Sequence, residues 1–319
     1  MGNGLQVTVL NQKVHKTKKK KKINWRQLIF IWGMLAIPLI HFLIFFVYVN
    51  IDSVLMSFRM MDINKGEFVW TFHWYQHFFE KLTSPHDPNI RKATINSLLF
   101  GLNDLVLVTI SLILSYFFYK KIRGRQFFRI IFFLPSIISI VIYTMAYKFM
   151  FQAGEAGTGP INSIIRAFGG NPPLWFINER LSITLILIYC LWVGTGYNIL
   201  IFGGAMANIN TEVMEYAKLD GVGMFRELFQ IILPMIWPTL SVAFIGSVTT
   251  IFTLFIQVQL LTMGSSTFQV NTIAYLINGA VESNQEWAAA IGICYTIVAI
   301  PIILSVRKLI EVIGKKFGY

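Results

Sequence analysis

Apolar residues in this chain gather into six long runs, at about 28–50, 96–119, 127–151, 182–207, 232–262 and 288–306. Between them charge, glycine and proline return. A helix needs roughly 20 apolar residues to cross about 30 Å of hydrocarbon. Backbone groups inside a bilayer must be satisfied within the segment itself. The pattern therefore predicts an all-α membrane protein with six transmembrane helices. The fifth run is longer than a bilayer needs and should tilt or protrude.

Charge gives the runs a direction. The first 27 residues hold eight Lys/Arg and no acid, with Lys18 to Lys22 consecutive. The segment after the second run adds Lys120, Lys121, Arg123, Arg125 and Arg129, and the C-terminal stretch adds Arg307, Lys308, Lys315 and Lys316. By contrast, 52–95 balances five basic against five acidic residues, and 263–287 has no Lys/Arg. The positive-inside rule then puts both termini in the cytoplasm. This divides the chain into a basic cytoplasmic tail (1–27), a six-helix transmembrane domain (28–306) and a short cytoplasmic tail (307–319). The apolar stretch behind the lysines is too long for a cleaved signal and reads as a retained anchor. The net charge of +12 is mostly a topology signal, so no nucleic-acid partner is expected.

The outer segments are different in kind. Residues 52–95 carry Trp70, Phe72, Trp74, Tyr75, Phe78 and Phe79, suited to an interfacial belt, a packed cap or a docking surface. Residues 152–180 flank an amphipathic stretch, Ile161 to Phe168, with turn chemistry at Gly154, Gly157, Gly159, Pro160, Gly169, Gly170, Pro172 and Pro173. Inside the runs ionisable groups are sparse. Asp104 is expected to bond to neighbouring helices, and Lys148 to snorkel outward. Cys190 and Cys294 lie alone in apolar runs and offer neither a disulfide framework nor a zinc site. Two polar stripes stand out: Cys190, Gly194 and Tyr197 at i, i+4, i+7 on the fourth run, and Ser247, Thr250 and Leu254 on the fifth. Lining a path and packing between helices are both open for them, as for Gln257 and Gln259.

The segment 208–230, which ends in EYAKLDGVGMFRELFQ, is the one polar interruption with helical pattern on a cytoplasmic side. Thr211 is a reasonable N-cap, with Glu212 favoured in the first turn by the helix dipole. Glu215 and Lys218 share a face. Gly221, with Gly223 nearby, releases the chain into a turn. Phe225, Leu228, Phe229 and Ile232 then begin a helix continuing into the fifth run, where Pro234 is expected to kink it.

These residues resemble the EAA loop of ABC importer permeases, through Glu215, Ala217, Asp220, Gly221, Ile231, Leu233, Pro234 and Pro238. Tyr216, Val222 and Leu228 depart from the family's usual residues. Further similarity to carbohydrate-type permeases, such as those for maltose, lactose and multiple sugars, lies in INSLLF at 95–100, KKIRGRQFFRIIFFLPSIIS at 120–139, PINSIIRAFG at 160–169 and PLWF at 173–176. The resemblance implies a type I ABC importer permease fold. It implies that Glu215, Ala217, Asp220 and Gly221 form a coupling helix fitting a cleft in an ATPase subunit. Its partners would be a second homologous permease, two ABC ATPase subunits and an extracellular solute-binding protein, in a bacterial plasma membrane. It also implies that Gly194, Tyr197 and Ser247 occupy positions lining a carbohydrate path, beside Cys190 and Thr250.

Catalysis belongs elsewhere. The chain has no G-x-x-x-x-G-K-[ST] phosphate loop and no HExxH, and its five histidines are scattered. Neither cofactor nor metal is expected, and ATP hydrolysis falls to a partner. Two alternatives are a secondary transporter or channel acting without an ATPase, for which the chain offers no acidic cluster or repeated half, and an ABC importer for a non-sugar solute.

Overall fold

The computed structural model describes residues 25–62, 66–151, 159–176, 178–262 and 270–318. The lysine run, together with Gly154 and Gly157, lies outside the described residues. The described residues are mostly helical, with one departure among them from the all-α expectation. A hairpin, β1 (Arg59–Asp62) and β2 (Glu67–Trp70), pairs Arg59 with Trp70 and Asp62 with Glu67 within the segment 52–95.

The chain divides between Asp52 and Ser53 into two compact units. The helix α1 runs from Trp25 to Ser57, and its apolar window has no buried residue, as befits a helix whose solvent is lipid. From Ser53 on, the order continues with α2 (His73–Thr83), α3 (Asn89–Tyr119), α4 (Arg125–Ile137), α5 (Ile140–Phe151) and α6 (Pro160–Ala167). Then come α7 (Glu179–Ala207), α8 (Thr211–Leu219), α9 (Met224–Met235), α10 (Trp237–Thr253), α11 (Ile256–Thr262), α12 (Ile273–Ser283) and α13 (Gln285–Lys316).

Among the described residues four helices are long and apolar enough to cross a membrane, or up to six if each bent pair counts as one span. The bent pairs correct the sequence reading of the third and fifth runs as single helices. Helices α4 and α5 meet at 111°. Pro135 removes a backbone donor in α4, and Ile138 turns extended (φ −76°, ψ 145°) three residues later. At 13 and 12 residues, each half is under about 20 Å long.

The fifth run is cut twice. Helices α9 and α10 meet at 83°. A π-helical turn, Leu228–Ile232, widens the backbone just before Pro234, and the chain changes direction at Ile236 rather than at Pro234 itself, with Pro238 in the first turn of α10. The second cut is at Leu254, where the chain goes extended. Its carbonyl accepts from the Thr272 hydroxyl at 2.6 Å, Ser97 Oγ accepts the Ile273 N–H at 2.8 Å, and Asn96 Nδ2 donates to the Asn271 carbonyl at 3.1 Å. The carbonyl freed at Leu254 is thus satisfied by a side chain, as a helix broken inside a bilayer requires.

Small residues bring the long helices together. A Cβ at Gly196 would lie 2.0 Å from the Phe132 carbonyl oxygen, so α7 and α4 touch backbone to backbone. At the end of the bundle that carries the hairpin, Trp74 donates to the Arg59 carbonyl (2.9 Å), Ser57 Oγ and the Tyr75 hydroxyl bond at 2.7 Å, and Phe78 meets Tyr295 edge-on. Half of the six aromatics of 52–95 thus pack a cap, while Trp70, Phe72 and Phe79 remain exposed.

Candidate functional site

The 208–230 segment folds as a short helix locked to the core. Its N-cap is Asn210, whose Oδ1 accepts the Glu212 N–H at 3.0 Å. Thr211, expected to be the cap, is the first helical residue, because the Asn side chain reaches the orphan N–H from one position earlier. The helix ends in a Schellman motif: Val222 N–H donates to the Ala217 carbonyl (3.0 Å) and Gly221 N–H to that of Lys218 (3.1 Å). Gly221 sits at φ +64°, a conformation glycine alone adopts freely.

One face of α8 is buried. Met214 joins a cluster with Tyr116, Phe202, Met206, Leu228, Ile232 and Trp237, drawn from α3, α7, α9 and α10; Ala217 is buried on the same side. The other face is open. Glu215, Lys218 and Asp220 are exposed, Leu219 is 82% and Phe225 77% exposed. Among the described residues Glu215 makes no ion pair with Lys218, its neighbour on the helix face. Exposed apolar side chains among unpaired charges are what a docking surface offers.

A buried polar lock behind the helix was not legible in the sequence. Lys120, at the end of α3, reaches Glu227 in α9 at 2.7 Å, and Glu227 is only 4% exposed. The Tyr116 hydroxyl donates to the Met224 carbonyl at 3.2 Å, beside the same pair. Charge bias marked Lys120 as a topology residue; only the fold gives it a partner.

The intramembrane polar stripes converge on Asp104. Its Oδ2 accepts from the Thr250 hydroxyl at 3.0 Å, joining α3 to α10. One cavity of about 180 Å³ is lined by Asp104, Thr250, Cys190, Gly194, Asn103 and Gln257. A second of about 640 Å³ is lined by Asp104, Thr250, Ser247, Tyr197 and Asn198, among others. Asp104 and Thr250 belong to both, and no Lys or Arg lines either. Gly194 lines the smaller cavity but lies tight against α3. A Cβ there would meet Leu107 Cδ1 at 2.4 Å, so Leu107 fills the space a side chain would take. Tyr197, by contrast, is 62% exposed. Leu254 lines the smaller cavity at the break of the fifth run, and Lys148 lies over the Phe176 ring at 6.0 Å.

The sequence profile of the family described as binding-protein-dependent transport system inner membrane component matches residues 107–319. The chain belongs to that family. It is a multi-pass permease, a transport subunit of the bacterial plasma membrane. The permease is 27% identical over 305 residues to the arabinooligosaccharides transport system permease protein AraP of Bacillus subtilis, covering 91% of this chain and 92% of that one. To the lactose transport system permease protein LacF of Rhizobium radiobacter it is 29% identical over 227 residues, 69% of this chain and 75% of the other. A chain from the crystal structure of a bacterial alginate ABC transporter, in complex with an alginate pentasaccharide-bound periplasmic protein, superposes with a TM-score of 0.77. That match is 21% identical and covers 92% of the permease and 99% of the other chain, which shows the fold. The match begins at residue 107, so the segment 208–230 and the stripes on α7 and α10 all fall within the family region.

Proposed function

We propose that this permease forms half of the translocation path of an ATP-driven importer for a sugar or oligosaccharide. The other half is a second homologous permease. Two ABC ATPase subunits lie on the cytoplasmic face and a solute-binding protein docks outside. Six spans with both termini inside follow from charge placement, each bent helix pair counting as one span, with 28–306 as the transmembrane domain between a basic tail (1–27) and a short C-terminal tail (307–319).

The observation that carries this reading is the two-faced helix α8. Met214 and Ala217 are buried while Glu215, Leu219 and Asp220 are exposed. A helix held this way moves with the spans instead of flexing against them, because packed interiors transmit displacement. In this reading Glu215 pairs with a basic residue of the ATPase, Gly221 turns the chain sharply enough for close approach, and closure of the two ATPases moves α8 and the attached spans as one body. The substrate passes along the surfaces offered by Tyr197, Ser247, Thr250 and Cys190, with Gly194 setting the closeness of α7 to α3. Hydroxyl and carboxylate groups there exchange hydrogen bonds with a sugar, and Tyr197 offers a ring to stack on it. The carbohydrate relatives named above support a sugar as the solute.

The test is capture of the tagged permease from its native membrane in mild detergent after cross-linking, with mass spectrometry of what remains bound. A P-loop ATPase and a second permease are expected. A lone chain or a homo-oligomer would overturn the reading in favour of transport without an ATPase.

A further inference from the structure

Three cations at the turn between α3 and α4 converge on one space. Lys121, Arg125 and Arg129 line a cavity of about 630 Å³ that has no carboxylate in its wall. Their neighbours are differently placed: Lys120 is paired with Glu227, and Arg307 with Glu311 at 2.9 Å. Among the described residues, Lys121, Arg125 and Arg129 form no ion pair. Ordinary positive-inside bias explains cations near the surface, but not three of them around one hollow.

The backbone is shaped for this. Lys121 adopts φ +58°, rare for a residue with a side chain, and Gly124 follows at φ +79°. These turns fold the chain back so that Lys121 and Arg125 border the same space. Arg125 and Arg129 are four apart on α4 and rise from one face. The start of α4, with Gly124 as N-cap and no side-chain cap, forms part of the wall, adding the positive end of a 13-residue helix. Across the space stand Gly203 and Gly204 of α7; nothing lies within 4 Å of where a Cβ on Gly204 would be. The remaining wall is largely apolar, with Phe118, Ile199 and Leu200.

We propose that this cavity binds the headgroup phosphate of an anionic phospholipid. A basic pocket between membrane helices, with apolar walls for acyl chains and no competing acid, has the chemistry such a lipid needs. A soluble phosphate would use the cations and leave the apolar wall unexplained. Thr211, the first residue of α8, lines the same cavity. A bound lipid therefore touches the start of the helix that carries Glu215 and steadies it.

The experiment places the tagged full chain, with whatever partners it retains, in nanodiscs of phosphatidylglycerol and phosphatidylcholine in equal parts and reads bound lipid by native mass spectrometry. Phosphatidylglycerol should be enriched on the wild type. At about 1 kcal/mol per basic residue and a decade per 1.4 kcal/mol, K121Q/R125Q/R129Q should retain it about a hundredfold less well. Gly204→Phe keeps every charge, and hence the topology signal, but fills the cavity; it should show the same loss. R307Q/K308Q/K315Q/K316Q should retain the lipid. Circular dichroism checks that each variant keeps its helices. Retention in both cavity variants, or equal loss in the tail variant, would reduce the effect to general surface attraction and overturn the site. Displacement by inorganic phosphate alone would overturn the lipid assignment in favour of a soluble anion.

Discussion

Lys120 Nζ lies 2.7 Å from Glu227 Oε2, joining the end of α3 to the helix that follows the exposed α8 segment, 107 residues further along the chain. The Glu227 side chain is 6% exposed and that of Lys120 27%. The pair therefore fastens the α8–α9 elbow to the helix bundle from beneath. Removing one partner of a fully buried pair costs about 3–5 kcal/mol. Lys120 keeps contact with water, so Lys120→Met should cost about 2 kcal/mol, read as a lowered unfolding temperature and faster proteolysis within 208–230. Adding Glu227→Leu should recover most of that loss, since no charge is then left stranded. A double variant as unstable as the single one would remove the pair from the account.

Glu215 can be changed without disturbing the core, being exposed on a helix whose other face does the packing. Glu215→Ala should leave thermal stability within about 0.5 kcal/mol of wild type. Retention of the ATPase in detergent and transport should fall at least tenfold, as for the loss of a charged anchor worth about 2 kcal/mol. Full retention and transport would place the docking elsewhere on α8, with Leu219 and Phe225 the next surfaces to change.

Gly194 and Gly196 separate packing from lining. A methyl group at 194 meets a movable Leu107 side chain, whereas at 196 it meets the Phe132 backbone. Gly194→Ala should cost about 1–2 kcal/mol and Gly196→Ala more, because overpacking is worst where nothing can rotate away. Leu107→Ala combined with Gly194→Ala should be less unstable than the sum of the two. Strict additivity in denaturation would show that the two side chains do not compete for space.

The cap around α2 should respond to acid. Burial holds the His77 imidazole below its ordinary value of 6.5, and nearby Lys81 and His73 push the same way against Glu80 and Asp87. Its ring packs edge-on to Trp287 at 4.9 Å between centroids. A lowered folded value means the unfolded chain takes up the proton first. The cap is then at full stability above about 6.5, and loses stability as pH falls from there through the folded value. Hydrogen exchange in α2 should accelerate over that window, and His77→Gln should flatten the response. An unchanged profile in His77→Gln would assign the acid sensitivity to another group.

Much of the molecule was legible along the chain. Apolar runs are sums over some twenty residues, and the need to satisfy backbone in lipid converts them into helices whatever their neighbours do. The turn at Gly221 is equally local, since only glycine takes φ +64° without strain. The two-faced pattern of α8 follows from its own spacing. The breaks at Ile138 and Leu254 depended on tertiary structure. Only two residues leave the helix at each; at Leu254 the freed carbonyl accepts from the Thr272 hydroxyl, 18 residues away. Asp104 meets Thr250 across 146 residues, Gly194 is filled by Leu107, and Lys121, Arg125 and Arg129 share one hollow with Gly204. Local propensity sums along the sequence and can be read there, whereas ion pairs, cavities and close helix contacts depend on which faces meet, and that is settled only when the whole bundle packs.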